Sequence, residues 1–271
     1  MLGANGWFGR SLSSLIDSET PIMRIGRVAR TDSFAWNFDE VKDFSPTAVF
    51  NFAFITREKL DLYGLSEYEQ VNLQLLAHFE QAMTLQSVRM GMTISSGAAI
   101  TESDKPYGKL KVLEEELALS LATSKRIVVV PRVYSVSGPF VRNPEAYAFS
   151  SFIQQAHNGQ IRITAQRPTY RRYVDVCDLL RVGISRMDAG LSGVFESGGE
   201  LVEMYELATR IAASAGENIP IVRDEIIDLT PSIYASDNQE WIAACRGANF
   251  TPRNLDEQID RVVRGLSDQG Q

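Results

Sequence analysis

The sequence predicts an α/β protein with a doubly wound parallel sheet, followed by a smaller C-terminal α/β lobe. Two observations carry this prediction. A glycine-rich turn opens the chain and runs directly into a helical pattern, and TAVFNFAF (47–54) is a short β-rich apolar run, typical of a fully buried strand. We place the sheet domain in residues 1–142. Residues 143–271 are mainly the smaller lobe, with some segments returning to the sheet domain.

The composition narrows the class of protein. At 271 residues, with 44% hydrophobic and 23% charged residues, the chain suits one large globular domain or a domain with a smaller lobe. The net charge of -7 argues against a nucleic-acid-binding surface, and no apolar run approaches the ~20 residues of a membrane span. Cys177 and Cys245 lack metal or redox spacing, and there are only two histidines. We therefore expect a cytoplasmic protein without a metal site or a membrane partner.

The opening turn is typical of a dinucleotide site. Gly3, Gly6 and Gly9 form GxxGxxG, and apolar residues follow at helical spacing. Such a turn lets the backbone approach a pyrophosphate at the positive end of a helix. Only Met1 and Leu2 precede it, so we expect the first strand of the sheet to be truncated. The sequence leaves open whether the recorded start is too late or the protein folds with this defect.

The stretch SSGAAITESDKPYGKLK (95–111) carries residues suited to proton transfer. If residues 107 to about 124 form a helix, Tyr107 and Lys111 share one face, although such a pair is also common on solvated helix surfaces. A fixed ammonium beside a phenol favours phenolate. We therefore expect Lys111 to lower the pKa of Tyr107 from its usual ~10, so that Tyr107 exchanges a proton with a substrate hydroxyl. Ser96 would hold the same oxygen.

Leucine spacing predicts which face of this helix is buried. The expected core stripe consists of Leu110, Leu113, Leu117 and Leu121. The expected outward residues are Glu114, Glu115 and Glu116.

GANGWFG at residues 3–9, followed by Ser96 and YxxxK at residues 107–111, resembles the short-chain dehydrogenase/reductase superfamily, in its extended NAD(P)-dependent epimerase/dehydratase branch. The resemblance continues in order and spacing to about Val263. It implies a Rossmann-like sheet that binds NADP or NAD and a small lobe that closes over the substrate. It also implies hydride transfer, with Tyr107 as acid or base, Lys111 on the cofactor ribose, and Ser96 on the substrate oxygen.

The resemblance assigns further residues to the cofactor. The residues implied are Gly3, Asn5, Gly6, Trp7, Phe8, Gly9, Arg27, Asn37, Phe38, Ala53, Tyr107 and Lys111. Arg27 ends PIMRIGR (21–27), which is predicted as the second strand, and no acid stands there. In the family an acid at this place holds the ribose of NAD, whereas an arginine meets the 2′-phosphate of NADP. We therefore favour NADP over NAD.

The substrate residues implied are Ser96, Ser135 and Arg171. VYSVSGPF resembles the family segment NVYGP, with Ser135 where asparagine is usual, and RRYVDVCDLL resembles RDFxHVxDL. In nucleotide-sugar members the arginine at the position of Arg171 binds a diphosphate, a task that suits its planar fork of donors. The alternative is a salt bridge from Arg171 to Asp175 or Asp178.

The predicted function is an NAD(P)-dependent oxidoreductase or epimerase that acts on a sugar, which the resemblance implies is nucleotide-linked. Gly97 and Ala98 stand where family dehydratases carry an Asp-Glu pair, so an epimerase or reductase is favoured over a 4,6-dehydratase. Two alternatives stay open. One is an NADPH-dependent reductase of a ketone without a nucleotide, and the other is a non-catalytic dinucleotide-binding protein. The resemblance also implies a homodimer that pairs helices near residues 65–85 and 107–124.

Overall fold

The computed structural model describes residues 1–26, 35–216 and 218–267. The helices of these ranges are α1 Trp7–Ser13, α2 Phe38–Phe44, α3 Leu60–Tyr63, α4 Leu65–Met83, α5 Ala98–Thr101, α6 Pro106–Ser120, α7 Ala148–His157, α8 Val176–Asp188, α9 Met204–Ala215, α10 Gln239–Gly247 and α11 Leu255–Ser267. The strands are β1 Ala48–Asn51, β2 Met90–Thr93, β3 Ser95–Ser96, β4 Ile127–Val133, β5 Ser135–Ser137, β6 Ile161–Ile163, β7 Thr169–Asp175, β8 Gly193–Glu196, β9 Glu200–Glu203, β10 Ile221–Arg223 and β11 Ser232–Tyr234.

The chain forms two compact units. The first consists of Met1–Val133 and Leu180–Glu196, and the second of Tyr134–Leu179 and Ser197–Gln271. None of the helices in the described ranges is both long and apolar enough to cross a bilayer.

The first unit contains the predicted parallel sheet. β1 pairs with β2, β2 and β3 pair with β4, and β8 pairs with β4, all in parallel. One side of the sheet packs against α4, which presents the fully buried side chains of Tyr68, Phe79 and Met83. Because the carboxyl ends of parallel strands open on the same edge, the residues that follow β1, β2 and β3 come together there.

Leu2 stands in the interior of this sheet but is a strand of a single residue. It bridges Ile25 on one side and Asn51 on the other, both in parallel. Its N–H donates to the Phe50 carbonyl at 2.9 Å, and its own carbonyl accepts from the Phe52 N–H at 3.0 Å. The first strand is therefore as short as the sequence predicts, and a largely apolar cavity of about 350 Å³ lies beside it.

The second predicted strand, residues 21–27, differs from expectation. Among the described residues of this segment only Ile25 pairs in the sheet. Arg27 lies outside the described residues. Residues 21–26 therefore form a single β-bridge and not a strand, because Leu2 offers one residue with which Ile25 can pair.

The second unit has its own core and two small sheets. β5, β7 and β11 are parallel, β9 runs antiparallel to β7, and β6 pairs with β10. Helices α7, α9 and α11 supply buried apolar side chains to this core, among them Phe149, Leu207 and Val262.

The opening turn depends on glycine for two separate reasons. Gly3 has φ 72°, a conformation that an L side chain adopts at a cost, and a Cβ there would lie 2.5 Å from the Phe52 carbonyl carbon. A Cβ on Gly9 would lie 2.5 Å from the Gly3 carbonyl oxygen. The spacing GxxGxxG is therefore required by packing within the chain, whether or not a ligand is bound.

Replacing Gly3 by alanine should lower the free energy of unfolding by about 3 kcal/mol, because backbone strain and overpacking add. Gly190→Ala is the matched control, since Gly190 has φ 73° and open space around its Cβ position. It should cost only about 1 kcal/mol. Urea unfolding of the two variants measures the difference, and equal losses would show that contact with Phe52 contributes nothing.

Candidate active site

Three of the predicted cofactor segments meet in the first unit. Gly3 packs against the peptide joining Phe52 to Ala53, which is buried. A Cβ on Gly26, which ends the described part of the second strand segment, would lie 2.7 Å from Nδ2 of Asn5. The glycine turn, the end of the second segment and the end of β1 are therefore neighbours, as the sequence predicts for a dinucleotide site.

The start of α1 suits an anionic ligand chemically. Gly6 is its N-cap and provides no side-chain hydrogen bond to the first helical N–H groups. Trp7 and Phe8 open the helix, and the Phe8 ring lies 5.9 Å from the Phe52 ring. Asn5 is exposed while Gly6 and Trp7 are half-buried, so this end of the helix is reached from outside. The residues present fit a pyrophosphate in this position.

Two other predicted cofactor residues have visible structural roles. Asn37 caps α2, and its Oδ1 accepts from the Asp39 N–H at 3.1 Å. Phe38 begins the same helix, with its ring stacked 6.4 Å from that of Trp36. The structure accounts for both residues without a ligand, so their contact with an adenine stays a prediction.

Ser96 and Tyr107 are brought together at the carboxyl edge of the sheet. Ser96 ends β3 and is buried, whereas Tyr107 is the second residue of α6 and is half-buried. The two side chains share a hydrogen bond. Ser96 Oγ also accepts from the Ala98 N–H at 3.2 Å, and the Tyr107 ring lies edge-on to Phe54 with centroids 5.8 Å apart. A substrate oxygen placed between these hydroxyls would meet both a hydrogen-bond partner and a proton donor.

The expectation that Tyr107 has a lowered pKa is wrong. The pKa of Tyr107 is raised to about 12, mainly by burial, with the negative charges of Glu114 and Glu58 acting in the same direction and the Ser96 hydrogen bond and Arg57 opposing them. Tyr107 is therefore a neutral phenol near pH 7.

The expected lowering by Lys111 does not offset burial, because the Lys111 ammonium is bound elsewhere. The side chain is buried, and Nζ donates to the Ile94 carbonyl at 2.9 Å and to Glu114 Oε2 at 2.7 Å. Nζ lies 3.5 Å from the Phe54 ring centroid but 5.8 Å from that of Tyr107. Burial lowers the pKa of Lys111, and the charges of Glu114 and Glu115 oppose that change.

The buried face of α6 was predicted correctly at Leu110, which is buried, and at Glu116, which is exposed, but wrongly at three other positions. Glu114 and Glu115, expected to point outward, are only 2% and 9% exposed, whereas Leu113, expected in the core, is 46% exposed. The two glutamates face the sheet because both are neutralised there, Glu115 by Arg132 on β4 and Glu114 by Lys111 of its own helix. Both ion pairs are 2.7 Å long. Apolar periodicity cannot detect such pairs. A glutamate three residues after the lysine, at ion-pair spacing on a helix, was the available signal.

A polar ladder extends from these glutamates into the sheet. Glu114 accepts from the Thr93 hydroxyl, which also accepts from Asn51 Nδ2 at 3.1 Å. Glu115 accepts from the Ser95 hydroxyl, and Arg132 reaches Glu196 on β8 at 3.3 Å. Thr93 and Ser95, at the carboxyl edge of the sheet, are thus held by buried charges that the sequence analysis did not predict.

In the second unit, Ser135 and Arg171 line one cavity of about 600 Å³. Arg171 Nη1 donates to the Tyr170 carbonyl at 2.8 Å and to the Ser232 carbonyl at 3.3 Å, and its guanidinium lies 5.8 Å from the Tyr234 ring centroid. Burial lowers the pKa of Arg171.

The salt-bridge alternative for Arg171 is wrong. Asp175 pairs with Arg261 at 2.9 Å, and Asp178 pairs with Arg253.

Within the described ranges, no group of three or more His, Cys, Asp or Glu residues is arranged to hold a metal ion.

The fold matches that of several solved proteins. A UDP-N-acetylglucosamine 4-epimerase from Methanobrevibacter ruminantium M1, in complex with UDP-N-acetylmuramic acid, is 16% identical with TM-score 0.79, over 99% of this chain and 97% of that one. MoeE5 in complex with UDP-glucose and NAD is 19% identical with TM-score 0.78, over 100% and 98%. RMD from Pseudomonas aeruginosa complexed with NADPH is 17% identical with TM-score 0.74, over 99% of each chain. No protein-family model and no curated protein matches the sequence.

Lys111→Met should lower the free energy of unfolding by about 3 kcal/mol, because it leaves the Glu114 carboxylate buried without its cation. Lys109→Met is the control, since Lys109 lies on the exposed side of the same helix. It should change stability by less than about 0.5 kcal/mol. Urea unfolding at neutral pH compares the two. Equal stabilities would mean that Glu114 does not depend on Lys111.

Proposed function

We propose that this chain, which shares the fold of UDP-sugar 4-epimerases and of RMD, is an NAD(P)-dependent epimerase or reductase acting on a nucleotide-linked sugar. The observation that carries the proposal is the Ser96–Tyr107 hydrogen bond at the carboxyl edge of the parallel sheet, beside Lys111 and close to the end of β1. This constellation is suited to moving a proton on and off a secondary alcohol or ketone.

The nicotinamide of bound NAD(P) would supply or take the hydride. Tyr107 donates its phenolic proton to the carbonyl oxygen as the ketone is reduced, and it accepts that proton in the reverse direction. Ser96 bonds the same oxygen and keeps it in reach of Tyr107. In an epimerase both directions occur in turn, with hydride returned to the opposite face of the ketone. In a reductase the alcohol leaves after the ketone has been reduced.

One observation favours the reductase. The raised pKa of Tyr107, about 12, means that the tyrosine rests in its protonated form at neutral pH, which is the form from which reduction of a ketone begins, whereas oxidation of an alcohol begins from tyrosinate. A NADPH-dependent reductase of a ketone without a nucleotide therefore stays an explicit second candidate. It would consume NADPH in proportion to product and would not require a nucleoside diphosphate on its substrate.

The cofactor is proposed to be NADP or NAD, with NADP preferred. The preference depends on Arg27 alone, through its charge near a 2′-phosphate. Calorimetric titration of NADPH and NADH into the chain compares the two. A folded protein that binds neither dinucleotide would contradict both the epimerase and the reductase.

The cavity of the second unit is proposed to bind the diphosphate of the substrate. Arg171 keeps Nη1 on two backbone carbonyls, which leaves other donors of its guanidinium for an anion. Tyr134 lines the same cavity, and its ring lies 5.1 Å from that of Tyr234. An aromatic pair next to an arginine suits a nucleotide, whose base offers a flat face and whose phosphates offer charge.

A homodimer is proposed from the outer faces of two helices in the first unit. Leu65 and Leu73 on α4 are about half exposed, as are Leu113 and Leu119 on α6. Exposed leucines on neighbouring helices are characteristic of surfaces that pair with a second copy. The reversal of Leu113 from predicted core to surface supports this proposal.

Tyr107→Phe should lower kcat by about 10²- to 10⁴-fold, because it removes the proton donor and leaves the packing of the ring intact. Epimer formation from UDP-glucose or UDP-N-acetylglucosamine, with cofactor present, measures the turnover. Tyr205→Phe, at an exposed position on α9, is the control and should retain full activity. Full turnover by Tyr107→Phe would end the proposed mechanism.

Arg171→Lys should weaken the binding of UDP about tenfold, because an ammonium cannot replace the planar fork of a guanidinium on a diphosphate. Calorimetric titration with UDP gives the affinity. Arg246→Lys on α10, at an exposed position, should bind UDP as the unchanged protein does. If both variants bind equally, Arg171 is not the diphosphate residue.

A further inference from the structure

The ring of Phe54 lies directly against the Lys111 ammonium. Nζ of Lys111 is 3.5 Å from the centroid of this ring, which is contact with the ring face. The same ring meets that of Tyr107 edge-on, with centroids 5.8 Å apart. Phe54 is half-buried and comes directly after Ala53, at the carboxyl end of β1. One phenylalanine therefore covers parts of both side chains that the sequence analysis predicts to act together.

Lys111 has one donor that can serve a ligand. An ammonium carries three N–H donors. Within the described part of the chain, Nζ gives two of them to the Ile94 carbonyl and to Glu114 Oε2. A ribose hydroxyl is a suitable acceptor for the third. The Phe54 ring stands in the way of such a hydroxyl, because a ring face 3.5 Å from Nζ leaves no room for another atom between them.

The backbone on both sides of Phe54 is fixed by two buried asparagines. The Ala53 N–H donates to Asn51 Oδ1 at 3.2 Å. The Ile55 N–H donates to Asn72 Oδ1 at 2.7 Å, and Asn72 Nδ2 donates back to the Ile55 carbonyl at 3.2 Å. The main chain therefore has little freedom to carry Phe54 away from Lys111, whereas the half-buried side chain can change rotamer.

We propose that Phe54 controls access to Lys111: its ring occupies the place of a cofactor ribose and rotates away when a nicotinamide dinucleotide binds. The identity of the ligand rests on the proposed function, with Lys111 as the predicted ribose residue. Rotation has a cost, because the ring gives up its contact with a desolvated ammonium. Dinucleotide binding must supply that cost, so Phe54 lowers the affinity for the cofactor.

The opposite arrangement gives the opposite sign. If the Phe54 ring stayed in place and packed on the bound nicotinamide, its removal would cost apolar contact and weaken binding. The direction in which affinity changes on removing the ring therefore distinguishes a residue that covers Lys111 from one that belongs to the cofactor site.

The first measurement is calorimetric titration of NADPH into the unchanged chain and into Phe54→Ala. We expect the variant to bind about tenfold more tightly, since binding no longer has to displace the ring from the ammonium. Equal or weaker binding by Phe54→Ala overturns the proposal.

ADP and a second phenylalanine supply the controls. ADP carries the adenine half of the dinucleotide without the second ribose, so Phe54→Ala should bind ADP as the unchanged chain does. Phe50 is also half-buried, on β1, and lines the apolar cavity beside Leu2. Phe50→Ala should bind NADPH as the unchanged chain does. A gain in ADP affinity equal to the gain in NADPH affinity overturns the proposal, because the effect would not arise at Lys111.

Phe54→Leu covers the case in which Phe54→Ala does not fold. Leucine retains apolar packing but has no aromatic face for the ammonium. It should tighten NADPH binding by about threefold, a smaller gain than that of alanine, because the side chain still has volume. Circular dichroism identifies the folded variants, and an unchanged affinity in Phe54→Leu then overturns the proposal.

A measurement without cofactor separates this proposal from the proposed function. Acetic anhydride is applied to the folded chain, and mass spectrometry of the peptides gives the acetylation rate of Lys111 relative to Lys109, which is exposed on the same helix. In Phe54→Ala the relative rate should rise about tenfold, because the ammonium loses its cover. An unchanged rate overturns the proposal. A raised rate in a protein that binds no dinucleotide keeps Phe54 as the cover of Lys111, while the proposed function fails.

Discussion

The orientation of helix α6 depends on polar contacts buried between it and the sheet. Glu115 pairs with Arg132 on β4, and Glu114, which is neutralised by Lys111 of the same helix, accepts from the Thr93 hydroxyl on β2. A buried charge without such partners would cost several kcal/mol, which leaves the helix few rotations about its axis. The rotation that satisfies these contacts also brings Tyr107 to Ser96. Buried ion pairs contribute little net stability, and here the pair across to β4 helps to specify one arrangement of the helix.

The glycine turn places the other half of the site by a different constraint. Gly3 lies so close to the Phe52–Ala53 peptide that a side chain would displace it, and Leu2 secures the turn through hydrogen bonds to Phe50 and Phe52. Leu2 and Gly3 together hold the turn against β1. The contacts of α6 and the steric limits at Gly3 act on the same edge of one parallel sheet, where Gly3 packs against the Phe52–Ala53 peptide and Tyr107 against Phe54.

The fold and the meeting of the two motifs could be predicted from sequence because both are local patterns joined by a simple rule. Glycine spacing, an apolar strand and Tyr107 four residues before Lys111 suffice once parallel strands end on a common edge. The burial of Glu114 and Glu115 could not be predicted from apolar periodicity, because both residues are polar and their burial depends on the cations that they contact in the fold. The direction of the Tyr107 pKa shift was also predicted wrongly, because sequence proximity to Lys111 does not show where the ammonium is bound.

Burial and charge compete at Tyr107, and their magnitudes decide what the tyrosine can do. A pKa of about 12 instead of 10 corresponds to about 3 kcal/mol against tyrosinate. An ammonium in contact could offset such a cost, but Nζ of Lys111 has its hydrogen bonds on Ile94 and Glu114. Donation of the proton to a substrate and its loss to a base both leave tyrosinate, so both meet this cost. A movement of the Lys111 ammonium from Glu114 toward Tyr107 would lower the cost in an epimerase and in a reductase alike.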